Sequence, residues 1–141
     1  VQADVLEQLL LSARHTAFGK QYDFKSIENY KTYSERVPVH SYEKFYPYIE
    51  RLMRGEQNIL WPSEVKWFSK SSGTTNARSK FIPVTTEALE NCHFKGGKDL
   101  LSIYINNHPD TKIFDGKGLG VGGSHQLNEL DPTATSYYGD V

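Results

Sequence analysis

The spacing of apolar residues changes after Trp61 and Pro62, and that change sets a helical part before a mixed one. Before it, apolar residues recur three and four apart. In VQADVLEQLLLSARHTAFGK, Val5, Leu6, Leu9, Leu10 and Ala13 form one stripe, which predicts a helix with Gly19 as its stop. Ser26 is the predicted cap of a second helix, IENYKTYSERV, ended by Pro38. Ser41 is the predicted cap of a third, with Tyr42, Phe45, Tyr46, Ile49, Leu52 and Met53 on one side and Gly55 after it. Pro47 falls inside this third pattern and is expected to kink or delay the helix.

Beyond Pro62, VKWFSK and KFIPVT are short runs of β-branched and aromatic residues and predict two strands. Thr86 then opens a long helical pattern, EALENCHFKGGKDLLSIYINN, whose expected buried side holds Leu89, Cys92, Leu100, Ile103 and Tyr104. The Gly96–Gly97 pair inside it predicts close packing against a neighbour or a bend. KIFDGKGLGVGGS reads as a strand or two broken by turns. The fold class expected is α/β, with a helical segment over 1–64 and, over 65–141, the start of a β-sheet with a crossover helix.

The 141 residues suffice for one domain with its own core. A net charge of −1, from 16 basic and 17 acidic residues, gives no support to a nucleic-acid partner. Cys92 is the single cysteine, which excludes an intrachain disulfide and fits a reducing, cytoplasmic setting. No apolar run approaches the roughly 20 residues that span a bilayer, and no secretory leader is visible. The chain starts at Val1 and ends in TSYYGDV, so it is expected to be the N-terminal piece of a longer protein.

Between the two predicted strands lies WFSKSSGTTNARSKFIPVT, Trp67 to Thr85. Gly73 lets consecutive amide N–H groups turn into one concavity, and Ser71, Ser72, Thr74 and Thr75 add rotatable hydroxyl donors. Arg78 and Lys80 add positive charge. Such a loop suits a polyphosphate, although a solvated hairpin connection uses the same residue types.

The ordered string resembles the phosphate-binding loop of the acyl-adenylate-forming enzymes, S-G-T-T-G-x-P-K, with Asn76 in place of the glycine, no proline, and Lys80 one residue later. Its spacing is similar to that of the auxin-responsive Gretchen Hagen family of acyl acid amido synthetases, in particular the bacterial members. Ser71, Ser72, Gly73, Thr74, Thr75, Lys80 and Pro83 occupy the places of that family's loop. TAFGKQYDF, VPVHSYEKFYPYIERLMRGEQNILWP and the GGKD after the loop are also similar to the family's N-terminal region. The fold implied is the N-terminal part of the large domain of an adenylate-forming enzyme.

The activity implied by the resemblance, for the intact protein, is ATP-dependent and AMP-forming: a carboxylic acid is activated as acyl-adenylate and conjugated to an amino acid. The 141 residues alone are expected to be inactive. ATP and Mg²⁺ are the implied cofactors, and a small carboxylic acid and an amino acid the implied partners. Ser71, Ser72, Gly73, Thr74, Thr75 and Lys80 would hold the ATP phosphates, with Lys80 as the catalytic charge. The family's helix after the loop lines the acyl-acid pocket and often carries an arginine for the carboxylate. That position is Asp99 here, which leaves the adjacent Lys98 as the candidate substrate contact. An acyl-adenylating enzyme with a thiol acceptor and a non-catalytic nucleotide-binding or interaction module are the alternatives.

Three further signals are weaker. GLGVGG, Gly118 to Gly123, satisfies G-x-G-x-x-G but is not followed by a convincing helix, and a glycine-rich turn is the better account. His15, His40, His93, His108 and His125 show no metal-ligand spacing, so no metal site is expected. Tyr42, Phe45, Tyr46 and Tyr48 read as packing residues, and Cys92 as core.

Overall fold

The computed structural model of the chain describes residues 1–71, 79–120, 127–131, 133 and 135–140. Helix α1 spans Gln2–Ala13, α2 Ala17–Gln21, α3 Tyr30–Arg36 and α4 Tyr42–Met53, with a 3₁₀ turn at Phe24–Ser26. Strand β1 (Trp67–Lys70) is followed by β2 (Phe81–Val84). A long helical run comprises α5 (Thr86–Ala88), a π-helical stretch (Leu89–Phe94) and α6 (Lys95–Asn107). Strands β3 (Asn128–Asp131) and β4 (Ser136–Asp140) close the described chain.

Gly19 is not the stop of α1. The helix ends at Ala13, and Thr16 caps a separate short helix in which Gly19 is buried. The Thr16 hydroxyl donates to the Ala13 carbonyl at 2.7 Å and accepts from the Gly19 N–H at 2.9 Å, joining the two helices at a corner. A Cβ on Gly19 would lie 2.0 Å from the Ala13 oxygen, so only glycine fits that turn of the chain. Of the predicted α1 stripe, Leu10 and Ala13 are buried and Leu6 is partly buried, while Val5 and Leu9 face outward.

The cap of α3 is Asn29, whose side chain accepts from the Thr32 N–H at 3.0 Å. Ser26 belongs instead to the 3₁₀ turn, where its hydroxyl donates to Asp23. Ser41 caps α4 as expected, accepting from the Lys44 N–H. Pro47 lies inside α4 without delaying its start; the helix runs from Tyr42 through it. Such an interior proline is tolerated because packing outweighs one missing intrahelical bond.

That packing is with the sheet. Ile49 and Leu52 of α4 join Ile59, Val65 and Phe68 in one buried cluster, flanked by Phe81, Leu130 and Tyr138 from the strands. Each fully buried aliphatic side chain of this kind contributes about 1.5–3 kcal/mol. A second cluster of Leu10, Ala13, Phe24 and Ile27 holds the N-terminal helices together. Between them, the N–H groups of Ala17 and Phe18 donate to the carbonyls of Asn58 and Ile59, at 2.9 and 3.0 Å.

Among the described residues the sheet has strand order β2-β1-β4-β3. β1 pairs antiparallel with β2, in register Lys70↔Phe81, and parallel with β4, in register Phe68↔Tyr138. β3 pairs antiparallel with β4. β2 and β3, at opposite edges, therefore run the same way, and the long helical run is part of the crossover between them, as the α/β reading requires. Ser136 is buried at the start of β4 and donates to the Met53 carbonyl at 2.7 Å, satisfying one of the open carbonyls at the end of α4.

The buried side expected for the crossover helix is not met, and of the two readings of its glycine pair the close packing is not met. None of its helical residues is buried: Cys92 is an exposed free thiol, and Leu100, Ile103 and Tyr104 are 70%, 62% and 44% exposed. A Cβ on Gly96 or Gly97 would meet nothing within 4 Å, so no described element packs closely there. The spacing named a face correctly as apolar, but a face is buried only where another element reaches it. The described part of KIFDGKGLGVGGS, through residue 120, forms turns, bends and irregular chain with no strand, and 121–126 lie outside the described residues. The strands β3 and β4 come instead from NELD and SYYGD, which carried no alternation to announce them.

Candidate functional site

The hairpin of β1 and β2 carries the hydroxyl-rich loop at its tip. Ser71 and Lys80 form the loop's base: the Ser71 N–H donates to the Lys80 carbonyl at 2.9 Å, and the Lys80 N–H donates to the Ser71 hydroxyl at 3.3 Å. Thus Ser71 holds the lysine's backbone from both its main chain and its side chain. Ser72, Gly73, Thr74 and Thr75 lie outside the described residues, as does Arg78.

The Lys80 side chain is exposed, and its Nζ lies 5.3 Å from the centre of the Tyr42 ring. An ammonium over an aromatic face is held by the ring quadrupole without being neutralised, which leaves its charge for an anion. The Tyr42 hydroxyl accepts from the Phe81 N–H at 2.8 Å and donates to the Phe81 carbonyl at 3.2 Å. Burial pushes the Tyr42 phenol above its ordinary pKa, so the hydroxyl keeps its proton for that second bond. Next along α4, Glu43 is held below the usual carboxylate range by its own backbone N–H, then by the Ser41 hydroxyl, with the Lys80 charge adding to it.

Tyr42 is the residue whose role the sequence did not disclose. It does pack against the main core, as read, but its hydroxyl and ring also face the loop base. A tyrosine one residue after a helix cap gives no signal of a strand that follows 39 positions later.

Lys98 is exposed on α6, where its carbonyl accepts from the Ser102 hydroxyl at 2.8 Å. No hydrogen bond or ion pair among the described residues joins Lys98 to Ser71 or Lys80. A cavity of about 1100 Å³ lies between α1 and the 24–33 segment, with Leu6, Leu10, Phe24, Ile27 and Tyr33 in its lining, and Ser71 and Lys80 are not among its lining residues. No group of three or more His, Cys, Asp or Glu residues that could hold a metal occurs among the described residues. No helix among them is long and apolar enough to cross a membrane.

The helical layer on a mixed sheet is similar to a region of a solved acyl acid amido synthetase. The chain superposes on AtGH3.15 acyl acid amido synthetase in complex with 2,4-DB with a TM-score of 0.78 and 25% identity, covering 97% of this chain and 23% of that one. It belongs to the GH3 family: the model of the GH3 family N-terminal domain matches residues 1–140. Among similar curated proteins, the indole-3-acetic acid-amido synthetase GH3.2 of Arabidopsis thaliana is 33% identical over 64% of this chain and 17% of its own length. The 4-substituted benzoates-glutamate ligase GH3.12 of the same plant is 26% identical over 84% of this chain and 20% of its own. The chain thus spans about a fifth of the length of the curated relatives it matches.

Proposed function

We propose that the protein carrying this chain is an ATP-dependent, AMP-forming ligase that joins a carboxylic acid to an amino acid. The observation that supports it most directly is the loop base. Lys80 is fixed through its backbone by Ser71, while its ammonium stays exposed over the Tyr42 ring. Membership of a family whose similar members are named as amido synthetases and ligases supports the same reading.

In the proposed reaction a carboxylate oxygen of the acid attacks the α-phosphorus of ATP, and pyrophosphate leaves with the bonding electron pair. The amine of the amino acid then attacks the activated carbonyl carbon, loses a proton, and expels AMP. Ser71, with Ser72, Gly73, Thr74 and Thr75, is assigned to the β- and γ-phosphates, and Lys80 to the charge growing on the leaving pyrophosphate. An exposed ammonium beside a hydroxyl fits a polyanion of this kind. Mg²⁺ would neutralise phosphate charge when bound, held mainly through phosphate oxygens and water. Lys98 is assigned to the acid's carboxylate. The exposed free thiol of Cys92 favours a reducing, cytoplasmic setting.

The test is acid-dependent exchange of pyrophosphate into ATP by the protein carrying this chain. Lys80→Ala is expected to lower the exchange rate by about 10²–10³-fold. Amide formation with an amino acid, and none with a thiol, is the expected second step. Exchange undiminished by Lys80→Ala refutes the site, and thioester as the sole product refutes the acceptor.

A further inference from the structure

We propose that Tyr42 is a positioning residue for Lys80, acting from the first turn of α4 across to the edge of the sheet. The inference deepens the phosphate-site reading and rests on it. β2 is the edge strand of the described sheet, paired only with β1, and successive residues of an antiparallel pair aim their polar groups alternately at the partner and away from it. The carbonyl and N–H of Lys80 both point at Ser71 of the neighbouring chain segment. Those of Phe81, one residue on, both point outward, where no strand of the described residues stands to receive them. The Tyr42 hydroxyl receives them, at 2.8 Å from the nitrogen and 3.2 Å from the oxygen. One phenol thereby replaces a missing strand at the point where the loop rejoins the sheet.

The same side chain contacts Lys80 itself, through the cation–ring distance of 5.3 Å. Backbone and ammonium are thus set by a single residue whose own position is fixed. Tyr42 follows the Ser41 cap, and its ring packs against the cluster built on Ile49, Leu52 and Phe68. With the backbone pinned on one side by Ser71 and on the other by Tyr42, the lysine has a small arc to search. A cation held near its working place loses less freedom when the charge it stabilises develops.

A double-mutant cycle on the pyrophosphate exchange of the protein carrying this chain decides the matter. Tyr42→Phe keeps the ring and removes the hydroxyl; it is expected to lower kcat/KM for ATP about tenfold while leaving KM for the acid unchanged. Tyr42→Leu removes the ring as well and is expected to lower it further. In a Lys80→Ala background, Tyr42→Phe is expected to have no additional effect, because the residue it positions is gone. A merely structural tyrosine would lower the rate by the same factor with or without Lys80, and that result overturns the proposal. Urea midpoints measured on each variant report folding separately from rate. If Lys80→Ala alone leaves exchange unchanged, the phosphate-site reading falls and this proposal with it. If Lys80→Ala abolishes exchange and Tyr42→Phe does not alter it, only the positioning role falls.

Discussion

Gly19 shows how much one hydrogen atom can decide. The Thr16 hydroxyl draws the end of α1 and the start of α2 so close that the Ala13 oxygen would sit 2.0 Å from a methyl group at residue 19. The backbone on both sides is anchored, since Ala17 and Phe18 donate to Asn58 and Ile59, so the corner has little room to open. Gly19→Ala is therefore expected to destabilise the protein by about 1–3 kcal/mol or more, seen as a lower urea midpoint with unchanged slope. Lys80 and Tyr42 belong to the same scale. Their predicted effects on exchange follow from one serine, one phenol and one ammonium, and require no movement of an element.

At the scale of elements, α4 is the joint between the helical layer and the sheet. Its first turn supplies Tyr42 to the hairpin, its second half supplies Ile49 and Leu52 to the core, and the Met53 carbonyl at its end receives Ser136 of β4. Pro47 costs it one bond, and the helix stands because both its ends are tied. The long crossover helix is tied at its start by the Thr85 cap and the Ser63–Glu87 hydrogen bond, and none of its helical residues is buried. Gly97 lies within α6 with open space around it. Gly97→Ala is accordingly expected to raise stability by about 0.4–1 kcal/mol, by narrowing the unfolded ensemble. A fall in the urea midpoint would instead show that a further segment of the protein packs on the glycines.

Over the whole molecule, the acid response of the described residues comes from His15 and from three glutamates. His15 is held below its ordinary pKa by desolvation and then by nearby Lys25. Glu43 is held below the usual carboxylate range by its own backbone N–H, Glu56 by the Arg51 guanidinium, and Glu87 by its own backbone N–H and then by Ser63. A carboxyl that ionises more readily in the folded state binds fewer protons there than in the unfolded chain. Its stabilisation is complete above the unfolded value, about 4.3, and is lost as the pH falls through the lower folded value. Melting temperature is expected to fall first as the pH passes below about 6.5, where desolvation of His15 disfavours its charged form. It is expected to fall again below about pH 5 through the glutamates, with Glu56→Gln making the second fall shallower. All three are exposed, so salt should reduce the effect.

The sequence alone determined what is local: the Ser41 cap, the two strands of the hairpin, the hydroxyl-rich string between them and, through that string's resemblance, the family. Each is carried by neighbouring residues, and neighbours are what a sequence displays directly. Only the tertiary structure decided that Gly19 serves a corner and not a helix stop, since the reason is an oxygen on the preceding helix. It alone decided that SYYGD is an inner strand, because pairing with Trp67–Lys70 is a contact across the fold and leaves no periodic mark. The place of Tyr42 came from the same source. A phenol 39 residues before the backbone it holds is adjacent only once α4 has packed on the sheet.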